Sequence, residues 1–198
     1  PFASIEATPA RGYQPALWLL GSSDYSARLA AEQGLGFAFA SHINGAGAVE
    51  AMRLYREEFQ PSATLAKPWA ILAAQVICAE DEARADLLAT SLELTILRLR
   101  TGRPSRIPSP AEAMAYPYTD AERDLIRGFR AGYVIGGPAT VRERLAALVR
   151  RTEADEVMVG TTVFDHADRV RSYELLAEAV GPLPALPDAA EAVAGRAG

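Results

Sequence analysis

Four apolar runs recur along the chain, and a segment with helical spacing of apolar residues follows each of them. The runs are continuous rather than alternating, which is the pattern of strands buried on both faces of a sheet. They cover residues 16–20, 37–40, 69–79 and 156–160. The pattern therefore predicts four core strands, each leading into a helix.

Capping and breaking residues mark the helix boundaries. The predicted helices cover residues 25–33, 48–59, 79–100, 121–131, 138–151 and 167–180. Gly34 is expected to end the first helix, while Asp120, Pro138 and Asp165 stand where later helices begin. Residues 101–117 are rich in Pro, Ser and Arg and predict a long irregular connection.

Strands that alternate with helices form a parallel sheet with helices on its faces, so the predicted fold class is α/β. We expect one domain over residues 1–180. Residues 181–198 contain Pro, Ala and Gly without a periodic pattern, and we expect a flexible tail there.

The composition excludes several classes of protein. With 49% hydrophobic and 23% charged residues, the chain of 198 residues is expected to be globular. A net charge of −5 argues against nucleic-acid binding. One cysteine, Cys78, and two distant histidines, His42 and His166, predict neither a disulfide nor a metal centre. We find no apolar run of about 20 residues and no signal-peptide pattern, so we expect a cytoplasmic protein without a membrane span.

The most informative local feature is the sequence Gly21-Ser22-Ser23. It follows a predicted parallel strand and precedes a helix, where free N–H groups and the positive end of the helix dipole favour an anion. The two hydroxyls add hydrogen-bond donors. The alternative interpretation is that a serine only caps the helix, and both roles are compatible.

Other candidates are less specific. His42 follows the second strand on the side where barrel active sites lie, whereas His166 stands at a helix start beside the capping residue Asp165. Gly136 and Gly137 could form an anion nest or a plain turn. Thr161 and Thr162 follow the last strand, and their hydroxyls could line a pocket. Arg100, Arg103 and Arg106 could bind an anion or be solvated at the surface.

The order and spacing of three segments resemble the bacterial-luciferase-like flavin monooxygenases. The segments are LWLLGSS with ARLAAEQGL and FAFASH at residues 17–42, GGPATVRERL at residues 136–145, and DEVMVG with DHADRVRSYELL at residues 155–176. The resemblance implies a TIM (β/α)8 barrel with an insertion before the last strand. Only about four strands are readable here, so it also implies that this chain is the C-terminal half. Three explanations stay open: a fragment of a longer protein, a second chain that supplies the other half, and a truncated product that self-associates.

The resemblance also implies a function. Reduced FMN from a separate flavin reductase would react with O2 and oxidise a small organic substrate. Gly21, Ser22 and Ser23 would hold the FMN phosphate, and Ser41 and His42 would lie near the flavin or the substrate. The catalytic residues are not identified and would lie on the missing half, and a homo-oligomer is expected. The alternatives are a non-catalytic flavin-binding relative, a reductase that uses a deazaflavin coenzyme, and a phosphate-binding α/β domain without flavin.

Overall fold

A computed structural model describes residues 16–181, and the predicted tail therefore lies almost entirely outside the described residues. The strands are β1 (Trp18–Gly21), β2 (Gly36–Ala40), β3 (Ala70–Cys78), β4 (Val134–Gly136) and β5 (Glu156–Gly160). The helices are α1 (Asp24–Glu32), α2 (Ala48–Glu58), α3 (Glu82–Arg100), α4 (Pro110–Ala115), α5 (Asp120–Arg130), α6 (Pro138–Thr152) and α7 (His166–Val180).

All strand pairs are parallel, as the alternation of strands and helices predicts. The continuous part of the sheet has the order β1-β2-β3-β5, because β3 pairs with β2 through residues 70–73 and with β5 through residues 71–75. The short strand β4 pairs only with the end of β3, at residues 76–78. Within the described residues, β1 and β5 each pair along one edge only. The sheet is therefore open.

The helix-covered face of this sheet carries an aromatic core. Phe37 and Phe39 of β2 pack against α1 and α2, and Tyr55 of α2 lies fully buried between them and β3. The Tyr55 hydroxyl donates to the carbonyl of Leu35 at 2.8 Å and accepts from the N–H of Trp69 at 3.0 Å. Burial raises the pKa of Tyr55. The Tyr55 hydroxyl therefore links the segment before β2 to the segment before β3 by hydrogen bonds.

The other face is open at the edge strands, which corrects the prediction that the runs at residues 16–20 and 156–160 are buried on both sides. Leu19 and Val157 pack on the helix side. Leu20 is 67% exposed, Trp18 43% and Met158 59%. Successive side chains of a strand point to opposite faces. These three residues form an inner face that no layer of the described chain covers at the edges.

The connection between β3 and β5 contains an insertion of α3, α4, α5 and β4. From the sequence, α3 was expected to cover the strand that it follows, β3. In the structure α6 covers β3 on the helix side. Its Val141 and Leu145 pack against Val76 and Cys78. Ile77 points to the opposite face and packs against α3. The barrel-type crossover therefore runs through α6, and α3 covers the inner face at the carboxyl end of β3.

Several local predictions are refined by the structure. Gly34 follows α1 with a φ of 60° and Asp165 caps α7, as expected. Thr119 rather than Asp120 caps α5. The connection at residues 101–117 contains the helix α4, and β4 was not predicted, since a three-residue strand is too short to show a period.

Glu82 anchors the insertion to the start of α6. Its Oε1 accepts from the Thr140 hydroxyl at 2.7 Å and from the Gly137 N–H at 3.0 Å. These two hydrogen bonds hold the pKa of Glu82 below its ordinary value of 4.5. A side chain of this protein therefore occupies the anion nest that the glycines at residues 136–137 suggested.

We predict that Tyr55→Phe lowers the free energy of unfolding by about 1–3 kcal/mol, because the Leu35 carbonyl and the Trp69 N–H lose their partner in a buried place. Urea denaturation measures this difference. Tyr25→Phe is the matched control, since Tyr25 is 76% exposed. Equal effects of the two substitutions would show that the buried phenol contributes nothing specific.

We predict that Glu82→Gln destabilises the fold near neutral pH and has little effect in acid. Because the folded-state pKa is lowered, the carboxylate stabilises the fold above pH 4.5, and this contribution disappears as the pH falls through the folded-state pKa. Thermal unfolding midpoints of the two proteins should differ at about pH 7 and converge at about pH 3. Glu143→Gln, at an exposed position of α6, is the control. A midpoint difference that does not change with pH would contradict the role of the charge.

Candidate functional site

The two sequence-predicted turns meet at the carboxyl edge of the sheet. Ser22 follows β1 and Ser41 follows β2, and the carboxyl ends of parallel strands lie at one edge. Asn44 joins them: its Nδ2 donates to the Ser22 carbonyl at 3.0 Å, and its Oδ1 accepts from the Gly47 N–H at 3.1 Å. Sequence analysis missed Asn44, although it stands only two residues after His42.

The turn at the start of α1 is shaped by Ser26. Ser23 is the N-cap residue and forms a capping box with Ser26, whose hydroxyl donates to the Ser23 carbonyl at 2.7 Å. A Cβ at Gly21 would lie 2.0 Å from the Ser26 Oγ. Gly21 is therefore needed for the packing of Ser26. Ser23 is exposed and Ser22 is partly exposed, so this helix end is open to a ligand.

Ser41 and His42 have different environments. The Ser41 hydroxyl is buried and donates to the Ala73 carbonyl at 2.8 Å. His42 is exposed, and its Nδ1 lies 3.4 Å from the same carbonyl. Ser41 thus secures the turn after β2, while the other side of the His42 ring stays accessible.

A cleft of about 1150 Å³ opens beside Ser41 and His42. Its walls are the loop at residues 41–46, α5 and α6, and its floor is the segment that leads into β4. Tyr133 lies in that floor, and burial raises the pKa of its phenol. Neither Ser22 nor Ser23 lines the cleft. Asn44 therefore links the two predicted turns, but only the turn after β2 lines the cleft.

Several of the remaining candidates have structural partners within the protein. The Thr161 hydroxyl donates to the Val76 carbonyl at 2.9 Å, and Asp165 accepts from two N–H groups of α7. His166 is exposed and its Nδ1 lies 2.9 Å from an Arg169 nitrogen. Arg103 pairs with Glu122.

Gln75 is a further polar group that sequence analysis missed. Its Oε1 lies 3.4 Å from the Thr162 hydroxyl, and its Nε2 is buried without a partner in the described part of the chain. It lies on β3, beside Gly160 of β5. Gln75 is the only amide within the apolar run at residues 69–79, which was the available signal.

Between residues 16 and 181, no three His, Cys, Asp or Glu side chains are close enough together to hold a metal ion. None of the helices described is sufficiently long and apolar to cross a membrane.

Comparison with known proteins identifies the family. The model of the luciferase-like monooxygenase family matches residues 2–156. The YceB protein of Bacillus subtilis is 44% identical over 178 residues, which cover 90% of this chain and 54% of YceB. The structure of apo-MsnO8 is 36% identical and superposes with a TM-score of 0.76, over 86% of this chain and 52% of that one. The oxygenating constituent of a Pseudomonas putida Baeyer–Villiger monooxygenase shares the fold at 21% identity and a TM-score of 0.58, over 89% of this chain and 51% of that one.

This chain spans about half the length of these relatives. The open parallel sheet, with four strands in its continuous part and an insertion before its last strand, has the architecture that the resemblance implied. The fold prediction is confirmed: the described residues form half of a TIM barrel, and the chain belongs to the luciferase-like monooxygenase family.

Proposed function

We propose that this chain contributes the phosphate-binding side of a flavin-dependent monooxygenase that uses reduced FMN and O2 to oxidise a small organic substrate. The observation that carries the proposal is the open helix end at Ser22 and Ser23 on the carboxyl edge of a luciferase-like half-barrel. Active sites of TIM barrels lie at this edge. When bound, the flavin supplies the oxygen chemistry, and the protein supplies binding, orientation and exclusion of water.

The donors at this turn fit a phosphate group. The first N–H groups of α1 lie at the positive end of a nine-residue helix, and two serine hydroxyls stand beside them. Asp24, in the first turn, weakens the attraction for an external anion. The phosphate is therefore held mainly by directed hydrogen bonds, and we expect further donors from the other half of the barrel.

Ser41, His42 and Asn44 support this site from the neighbouring strand. Asn44 fixes the Ser22 carbonyl, and Ser41 fixes the backbone that precedes His42. His42, with its exposed ring, is the residue of this group that is free to contact the flavin or the substrate. We propose it as a ligand contact and assign it no proton transfer.

The inner face requires a cover before such a site can exclude water. Leu20 and Met158 are more than half exposed on that face, and β1 and β5 each have an unpaired edge in the described chain. We propose that the other half of the barrel packs there, from the same polypeptide, from a second chain or from another copy. A separate flavin reductase would supply the reduced cofactor.

A deazaflavin-dependent reductase is the second candidate, since an F420-dependent secondary alcohol dehydrogenase shares the fold at 14% identity and a TM-score of 0.54. Competition between FMN and the deazaflavin coenzyme for the protein distinguishes the two. FMN binding without turnover in the presence of a reductase and O2 would instead support a non-catalytic flavin-binding relative.

We predict that Ser23→Ala weakens FMN binding by about tenfold or more and changes riboflavin binding by less than about twofold. A charge-assisted hydrogen bond to phosphate contributes about 1.5–3 kcal/mol, and riboflavin has no phosphate. Quenching of flavin fluorescence in a titration of the 198-residue chain measures both affinities.

Ser109→Ala is the matched control, because Ser109 caps α4 in another capping box. It removes a helix-capping hydroxyl at another helix and should leave both flavin affinities unchanged. Equal losses for FMN and riboflavin in Ser23→Ala would contradict the phosphate assignment. Absence of saturable FMN binding by the wild-type chain would contradict flavin binding by this half alone.

A further inference from the structure

We propose that the cleft between α5 and α6 is a second binding site, for an organic anion: a carboxylate, sulfonate or phosphate on a small aromatic or aliphatic body. The cleft is lined from the loop after β2, from the insertion and from α6 of the helix layer. The Ser22–Ser23 turn and the inner-face residues Leu20 and Met158 do not line it. The cleft therefore adjoins the proposed flavin site through the shared loop of Ser41, His42 and Asn44, while the turn that would hold the flavin phosphate lies outside it.

Charge is the first argument. Arg100, Arg144 and Arg151 line the cleft, and Asp124, its only acidic lining residue, pairs with Arg127. Among residues 16–181, neither Arg100 nor Arg151 forms an ion pair with a carboxylate. The chain as a whole carries a net charge of −5. A local excess of guanidinium groups on an acidic protein attracts an anion to this cleft.

Two of these guanidinium groups are already oriented. Arg144 donates to the Tyr133 carbonyl at 2.9 Å, which places its side chain along the floor of the cleft. Arg100 lies over the ring of Phe129, with its guanidinium carbon 5.8 Å from the ring centre. Groups that are held in place lose less conformational entropy when they bind a ligand.

The walls supply apolar contacts for the body of the ligand. Leu125 of α5 is 50% exposed, and Leu148 of α6 is partly buried on the opposite wall. The lining residues of each helix have the i, i+3, i+4, i+7 spacing of a single face: residues 121, 124, 125 and 128 on α5, and residues 144, 147, 148 and 151 on α6. Two helix faces that oppose each other across a cleft with charged and apolar positions fit an amphiphilic ligand.

Polar contacts on the far side of α5 hold this helix in place. None of its side chains is fully buried. Arg130 pairs with Asp86 and Glu93 of α3, and Glu122 pairs with Arg103. These ion pairs, together with the packing of Ile126 and Phe129 on the clusters that contain α3, hold α5 against α3.

The test uses 4-phenylbutyrate as the probe and 4-phenylbutan-1-ol as its uncharged analogue. Isothermal titration calorimetry of the 198-residue chain should show saturable binding of the acid and at least about tenfold weaker binding of the alcohol. Arg100→Gln and Arg151→Gln should each weaken binding of the acid by about tenfold, since each removes a charge-assisted hydrogen bond.

Arg150→Gln is the matched control, because Arg150 is exposed on the same helix but does not line the cleft. It should change the affinity by less than about twofold, as a screened surface charge does. Equal binding of acid and alcohol, equal effects of Arg150→Gln and Arg151→Gln, or no saturable binding would each overturn the proposal.

Competition with FMN separates this proposal from the flavin assignment. FMN should leave the affinity for 4-phenylbutyrate unchanged, and Ser23→Ala should not alter it. Displacement of 4-phenylbutyrate by FMN would show that the cleft is part of the flavin site and would overturn the assignment of a second site. Failure of FMN to bind this chain would contradict flavin binding by this half alone and leave the binding of the acid as an independent result.

Discussion

The coverage of the two faces of one parallel sheet determines the rest of this structure. On the helix side, aromatic rings of β2 and α2 form a buried core, and α6 and α7 continue the layer over β3 and β5. On the inner side, α3 covers the carboxyl end of β3, while the edge strands present large apolar side chains to solvent. Parallel sheets are stable when both faces are covered. The exposed apolar residues of the edge strands support our proposal that a second half packs on the inner face.

The same asymmetry locates the functional surfaces. The turns after β1 and β2 lie at the carboxyl edge. Hydrogen bonds from Asn44 to the Ser22 carbonyl and from Ser41 to the Ala73 carbonyl fix their positions. Their polar groups are largely used within the turns, which leaves the exposed helix end at Ser23 and the ring of His42 for a ligand. In the function that we propose, the other half of the barrel would pack on the inner face and complete the enclosure of the flavin.

The insertion adds a surface that a minimal barrel does not have. Glu82 ties its first residue to the start of α6, and the ion pairs of Arg130 tie α5 to α3. Between these two anchors the chain leaves a cleft with three arginines on a protein that is acidic overall. The segment that interrupts the crossover between β3 and β5 thus forms one wall of the cleft that we propose as an anion site.

The amino-acid sequence by itself determined the order of the strands and most helices, because apolar runs and caps such as Gly34 and Asp165 act locally. Together with the resemblance, it also indicated the family and half of its barrel. Only the tertiary structure decided which faces are covered, since burial depends on layers that a local pattern does not contain. It also showed that Glu82 fills the nest at Gly137 and that α6, not α3, backs β3. Glu82 and Gly137 are more than fifty positions apart in the chain. Which helix packs on β3 depends on the arrangement of the elements in space. The local periodicity of the sequence contains neither kind of information.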